Sequence, residues 1–189
     1  MPEESVLADF LQRHSYGGGR SRKKKNREAP ENINPEICKG CGWCCRRCGC
    51  YFSPEDFPEI SYEYLKKRIE EGYISLEFVL KERTYLDYDT LILRVRNQGA
   101  PVVDLGLKRT PCVLLTEKGC ALSEKDRPSG GVFLIPMETF NPKTGRKEKA
   151  CYSKYDIEEC ALEWRPYQDI LLQLLKYFQE HNVPQFVVQ

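Results

Sequence analysis

Apolar residues recur at helical spacing in some segments of the chain and at alternate positions in others. Residues 61–71 carry an apolar stripe at steps of three and four, and Gly72 follows directly, which predicts a helix ended by that glycine. From residue 73 to residue 81 apolar and polar residues alternate, the pattern of a half-buried strand, and residues 90–96 alternate again. These segments predict one helix followed by two strands.

The second half of the chain predicts two hairpins. Residues 111–123 read as two short strands with a tip at 116–119. Residues 132–140 read as a further strand, in which Pro136 marks an edge or a bend, and the polar turn at 141–149 leads into a returning strand. Hairpins connect strands that are close in sequence, so these strands need no distant partner.

Helix-start signals occur at two places in the folded part of the chain. Residues 53–56 combine a capping Ser53, a proline and an acid three residues after the cap, and Asp156 begins a similar arrangement. Pro166 interrupts the helix that Asp156 opens, and an amphipathic helix follows. Its apolar face, which predicts the main core helix, consists of Tyr167, Ile170, Leu171, Leu174, Leu175 and Phe178. The pattern as a whole predicts the α+β fold class, with a last edge strand at 183–189.

The first 32 residues differ in character from the rest. Residues 5–14 predict a short helix, three glycines follow, and residues 20–27 hold six basic residues out of eight. No aromatic residue lies within this run to stack on a base, so a solvated flexible linker is favoured over an RNA-binding segment. The predicted domains are therefore a short helix with a flexible basic linker at 1–32 and a cysteine-cluster metal-binding domain at 33–189.

Cysteines concentrate in one short stretch of the chain. Residues 38–50 hold six of the ten cysteines, and two copies of a Cys-x-x-Cys-Gly pattern lie within them. Two cysteines three positions apart can turn both sulfurs toward one point, and a following glycine lets backbone N–H groups face the sulfurs. Because thiols this crowded would scramble among many disulfide pairings, metal is favoured over disulfides.

Charge and hydropathy indicate the partners and the cellular compartment to expect. The net charge is +1, from 29 basic and 28 acidic residues, so the field of the whole protein does not favour nucleic acid or an anionic membrane. No apolar run is long enough to cross a bilayer and no signal peptide is visible, which predicts a cytoplasmic protein whose thiols stay reduced. The expected partners are metal ions and an unidentified protein, and nucleic acid is less favoured.

The cysteine pattern resembles that of a known family. The CxxCGxCCR pattern that starts at residue 38, Cys112 within PCVLL, Gly119-Cys120 and Arg127-Pro128 are similar to the YkgJ-type cysteine-cluster proteins, described as zinc- or iron-chelating domains. A similar cluster accompanies flagellin lysine methylases. The resemblance covers roughly residues 35 to 155. It implies metal ligation by Cys38, Cys41, Cys44, Cys45, Cys112 and Cys120.

One position departs from the family pattern. Gly131 stands where the family places a further cysteine, and Cys48 or Cys50 is the candidate substitute for that thiol. Cys151 matches the downstream cysteine of the pattern, whereas Cys160 lies in a predicted helix and is expected to be a small buried residue. The number of ligands, and with it the number of metals, stays open at this point.

Three functions follow from these residues. The favoured one is a metal-chelating protein that binds zinc or iron, with an iron–sulfur cluster among the alternatives, through an all-thiolate site that also stabilises the domain. A redox or accessory enzyme component is the second, although no glycine-rich cofactor loop or catalytic constellation accompanies the cysteines. The third is a nucleic-acid-binding module that uses the basic N-terminal arm.

Overall fold

The computed structural model describes residues 42–47, 49–104, 110–122, 126–153 and 155–181, with the side chains of 83, 135–139 and 148–153 left out. Its helices are α1 (Tyr62–Glu70), α2 (Ser129–Val132), α3 (Ile157–Trp164) and α4 (Gln168–Glu180). Its strands are β1 (Ile74–Val79), β2 (Thr90–Val95), β3 (Val103–Asp104), β4 (Leu115–Thr116), β5 (Gly119–Cys120), β6 (Leu134–Asn141) and β7 (Arg146–Ser153). The predicted α+β class is confirmed.

A three-stranded sheet in the order β2-β1-β3 lies at the centre of the core. β1 runs antiparallel to β2, with Ile74 opposite Val95, and parallel to β3. The prediction of a half-buried β1 is wrong, because every residue of β1 and β2 is buried. Helices α1, α3 and α4 all pack against strands of this sheet, so the alternating polar residues are enclosed together with the apolar ones.

An ion pair explains how polar residues are accommodated inside the sheet. Arg94 Nη1 lies 2.7 Å from Glu77 Oε2, and the two side chains are 6% and 1% exposed. An isolated charge in such a place would cost several kcal/mol, and the hydrogen-bonded pair offsets part of that cost. Ser75 likewise donates from its hydroxyl to the Pro101 carbonyl at 3.1 Å. The alternation in β1 therefore separates two buried faces.

Local capping chemistry defines the helix ends, as predicted. Ser61 accepts a hydrogen bond from the Tyr64 N–H at the start of α1, and Gly72 follows the helix with a φ of 92°. Asp156 accepts the Glu159 N–H at 2.9 Å at the start of α3. A 3₁₀ turn, Arg165–Tyr167, contains Pro166 and separates α3 from α4. Fully buried residues of α4 include Leu171, Leu174 and Leu175, with Phe178 nearly so.

The two predicted hairpins are present. β4 pairs with β5 so that Thr116 lies opposite Gly119, and the tip is the pair of residues between them. β6 and β7 form a separate two-stranded ribbon whose register runs from Leu134 opposite Ser153 to Asn141 opposite Arg146. Pro136 lies within β6, where a two-stranded ribbon leaves one edge open for a residue that has no N–H.

The outer edge of β2 is covered in part by a glutamine. The Gln168 side chain accepts a hydrogen bond from the Leu91 N–H and donates to the Leu91 carbonyl, both at 2.9 Å. This amide takes the place of a neighbouring strand at that position of the ladder.

We expect Gln168→Ala to lower the free energy of unfolding by about 1–3 kcal/mol, because two buried backbone groups lose their partner. Gln173→Ala is the control, since Gln173 lies on the exposed side of the same helix and should change stability by less than about 0.5 kcal/mol. Urea denaturation of both variants measures the difference. Equal losses would mean that the effect comes from helix propensity and not from the strand edge.

Several predictions concern residues outside the described ranges. They are the helix at 5–14, the basic linker at 20–27, the edge strand at 183–189 and the domain boundary near residue 33. Among the helices that the structure does describe, none has the length and apolar character needed to span a membrane.

Candidate metal centre

The end of the cysteine-rich stretch is attached to the central sheet. The Val95 N–H donates to the Cys50 carbonyl at 2.8 Å, and the Phe52 N–H donates to the Leu93 carbonyl at 2.9 Å. Tyr51 lies opposite Arg94 as an isolated bridge. Residues 50–52 therefore continue the sheet beyond β2, and this pairing sets the position of Cys50.

Gly49 allows this close approach. A Cβ on Gly49 would lie 1.9 Å from the Val95 carbonyl oxygen, so no other residue fits without a backbone shift. The Gly49 N–H donates to Asn97 Oδ1 at 2.7 Å, and Asn97 also forms a bridge with Cys112. The asparagine thus joins the two segments that carry the cysteines. The sequence contained no specific signal for this role, because Asn97 reads simply as the end of a strand.

Cys112 lies directly against the cysteine-rich stretch. Its N–H donates to the Cys45 carbonyl at 2.6 Å. Its sulfur accepts the Leu114 N–H at 3.4 Å, a contact typical of the backbone amides that surround thiolate ligands. This contact brings Cys112 next to the cysteine-rich stretch.

The secondary-structure position of Cys112 differs from the prediction. The hairpin predicted for residues 111–123 places Cys112 and Cys120 on its two strands. Instead, the Leu115 N–H donates to the Cys112 carbonyl at 3.0 Å across a turn, so Cys112 precedes β4. Cys120 pairs with Leu115 in regular register. Since only Cys120 lies in the hairpin strands, the alternation of strand side chains does not constrain Cys112.

Three cysteines lie near enough to Cys50 to affect the pKa of its thiol. Burial raises the pKa of the Cys50 thiol well above its usual value, and the proximity of Cys112, Cys45 and Cys120 raises this pKa further. None of the four is disulfide-bonded. We call Cys45, Cys50, Cys112 and Cys120 the thiol cluster. The raised pKa means that the Cys50 thiol favours its neutral form unless a positive charge is brought to it.

Helix α2 closes one side of the thiol cluster. The Gly130 N–H donates to the Tyr51 carbonyl at 3.0 Å, and a Cβ on Gly130 would come within 2.6 Å of the Tyr51 nitrogen. A Cβ on Gly131 would lie 3.2 Å from Cys50 Sγ and 3.6 Å from Arg127 Cβ. The sulfur of Cys50 therefore occupies the space that a side chain at position 131 would enter.

Asp56 holds α2 in this position. Its carboxylate accepts the Ser129 N–H at 2.9 Å and the Ser129 hydroxyl at 2.7 Å. The same carboxylate accepts the Ser53 N–H at 2.8 Å and completes the capping box predicted for residues 53–56. The predicted cap thus also connects the segment after Cys50 to the start of α2.

The other predicted ligands are placed differently. Cys38, Cys41 and Cys48 lie outside the described residues, and Cys151 lies in β7 with a side chain that is not described. Cys44 is disulfide-bonded, so in this form it has no thiolate to offer. Within the described part of the chain, no group of three or more cysteine, histidine, aspartate or glutamate side chains is arranged to hold a metal ion.

Cys160 lies in the core. It is fully buried in α3, and its sulfur donates to the Phe52 carbonyl at 3.5 Å beside the Trp164 Nε1–H, which donates to the same oxygen at 2.7 Å. This thiol therefore supports the segment that follows the thiol cluster and is separate from it.

Comparison with known proteins found no match: no family model, no curated protein and no solved structure corresponds to this chain. The resemblance to the YkgJ-type cysteine-cluster proteins accordingly stays a prediction that rests on the cysteine pattern.

Proposed function

We propose that this protein is a metal-chelating protein that binds zinc or iron through cysteine thiolates, with the thiol cluster as its ligand set. The observation that carries the proposal is that Cys45, Cys112 and Cys120 all lie near Cys50, with the Cys112 N–H donating to the Cys45 carbonyl, although the four cysteines come from two distant stretches of the chain. Packing alone would not require four thiols to lie close together.

The donor set fits these metals. Four thiolates satisfy a tetrahedral zinc site, and four thiolates also hold iron–sulfur clusters. Bound as cation or cluster, the metal would supply the positive charge that favours the thiolate form of each cysteine. The chain's own contribution is the scaffold: Gly49 and residues 50–52 fix Cys50 on the sheet, and the Leu114 N–H faces Cys112 Sγ.

The role we propose for the metal is structural as well as chelating. The thiol cluster joins the cysteine-rich stretch to the hairpin of β4 and β5, and among the described residues the Cys112 N–H also links these segments by donating to the Cys45 carbonyl. Because thiolate sites couple metal binding to folding, loading would stabilise this end of the domain. We place the protein in the cytoplasm, where reduced thiols are maintained, and this location would also keep Cys44 available as a thiol.

Serine variants of the thiol cluster test the proposal. We expect Cys45→Ser, Cys112→Ser and Cys120→Ser each to lose the bound metal, because a hydroxyl is a poor substitute for a thiolate on zinc or iron. Elemental analysis of protein purified without oxygen measures the metal per chain.

Cys160→Ser is the matched control, since its hydroxyl can still donate to the Phe52 carbonyl. It should keep the metal content of the parent. If all four variants carry as much metal as the parent, the thiol cluster is not the site. If Cys160→Ser loses metal as completely as the others, the loss reflects unfolding and the assignment fails.

A further inference from the structure

The ribbon of β6 and β7 ends in an exposed basic tip that the metal proposal does not use. Every residue from 142 to 147 is exposed, and Phe140 keeps 63% of its surface in contact with solvent. A Cβ on Gly145, at the turn of the ribbon, would meet no atom within 4 Å. The turn of the ribbon at Gly145 is therefore open to solvent.

The charge of the tip has one sign. Residues 140–147 contain Lys143, Arg146 and Lys147 and no acidic residue, in a chain whose overall charge is +1. A local excess of this kind attracts a polyanion even where the whole-protein field is neutral. The tip also carries the large apolar ring of Phe140. Attraction of an anion by charge alone would not require such a ring.

The ribbon register places the ring beside a cation. Phe140 lies opposite Lys147, and directly opposed residues of an antiparallel pair extend from the same face. Arg146 lies opposite Asn141 one position further, on the other face, and Lys143 belongs to the turn. A base stacked on Phe140 would thus carry its phosphate close to Lys147, with two more cations along the strand path.

We propose that the tip of this ribbon, Phe140 together with Lys143, Arg146 and Lys147, binds single-stranded nucleic acid. Exposed aromatic rings that stack on unpaired bases, combined with cations that contact phosphates, are the general means by which proteins bind single strands. In a duplex the base faces are already stacked, so Phe140 favours a single strand as the ligand. The basic run at 20–27 has the cations but lacks an interleaved aromatic residue.

Fluorescence anisotropy with labelled oligouridine and oligothymidine tests the proposal on the full chain. Phe140→Ala should weaken binding at least about fivefold, the lower limit for one stacked base. Replacing Lys143, Arg146 and Lys147 together by alanine should reduce the slope of log affinity against log salt by about 2 for single strands. These side chains are exposed, so circular dichroism should show unchanged folding of the variants.

Two matched controls test whether binding depends on the tip or on exposed aromatic and basic residues in general. Tyr85→Ala removes an aromatic ring that is 99% exposed elsewhere, and alanine at Lys67, Lys81 and Lys176 removes three exposed cations, so both should bind as the parent does. The proposal is overturned if the parent does not bind single strands or if the controls weaken binding as much as the tip variants. Loss of binding only when residues 20–27 are neutralised overturns it, as does preference for a duplex, anionic vesicles or an acidic peptide.

Discussion

Cys50→Ala is expected to abolish metal binding, and Gly131→Cys added to the same chain is expected to restore it. Loss of an outer-shell partner alone commonly weakens metal binding about 10- to 100-fold, so loss of a ligand should exceed this range. The rescue follows from the position of α2. A Cβ at position 131 would lie 3.2 Å from Cys50 Sγ and 3.9 Å from Cys50 Cβ, so removing the sulfur opens space for a new thiol at the same place.

Gly131→Ser in the Cys50→Ala background is the matched control, because it adds a side chain of similar size without a thiolate. It should not restore the metal. Metal affinity, measured by competition with a chelator, distinguishes the possible failures. If the parent holds no metal, the proposed function is wrong. If the parent holds metal but the rescue fails, position 131 cannot supply a ligand and the role of Cys50 needs another explanation.

Gly49→Ala is expected to lower the free energy of unfolding by about 3 kcal/mol, the upper part of the usual range for overpacking. The added Cβ would lie 1.9 Å from a backbone oxygen of β2, and backbone cannot move aside as a side chain can. Relieving this overlap would also disturb the hydrogen bonds from the Gly49 N–H to Asn97 Oδ1 and from the Val95 N–H to the Cys50 carbonyl. Urea denaturation measures the loss.

Gly99→Ala separates the steric effect from glycine's backbone freedom. Gly99 has a φ of 70°, and a Cβ there would meet nothing within 4 Å, so its replacement tests the strained backbone alone. We expect a loss of about 1 kcal/mol for it. Similar losses for the two variants would contradict the close packing of Gly49 against β2.

Elements defined by local chemistry were predictable from the sequence. The caps at Ser53 and Asp156 and the break at Pro166 each depend on residues within a few positions of one another, and all three are present. The burial of both faces of β1 was not predictable. It depends on the pairing of Glu77 with Arg94 and on helices from distant parts of the chain, neither of which changes the alternating pattern.

The candidate site was predictable only in part. The family resemblance implied that Cys112 and Cys120 act together with the cysteine-rich stretch, and both residues lie near Cys50. The sequence does not distinguish Cys48 from Cys50 as the substitute for a thiol at position 131, because both lie in the same short stretch. The contact of Cys50 Sγ with the space at Gly131 favours Cys50, and this contact depends on the docking of α2.

The metal content of the parent protein, purified without oxygen and measured by elemental analysis together with acid-labile sulfide, tests the account most directly. We expect about one zinc ion per chain, or iron accompanied by sulfide if the thiol cluster holds an iron–sulfur cluster. A folded protein that contains neither zinc nor iron, and whose four cluster cysteines all react as free thiols, would contradict it.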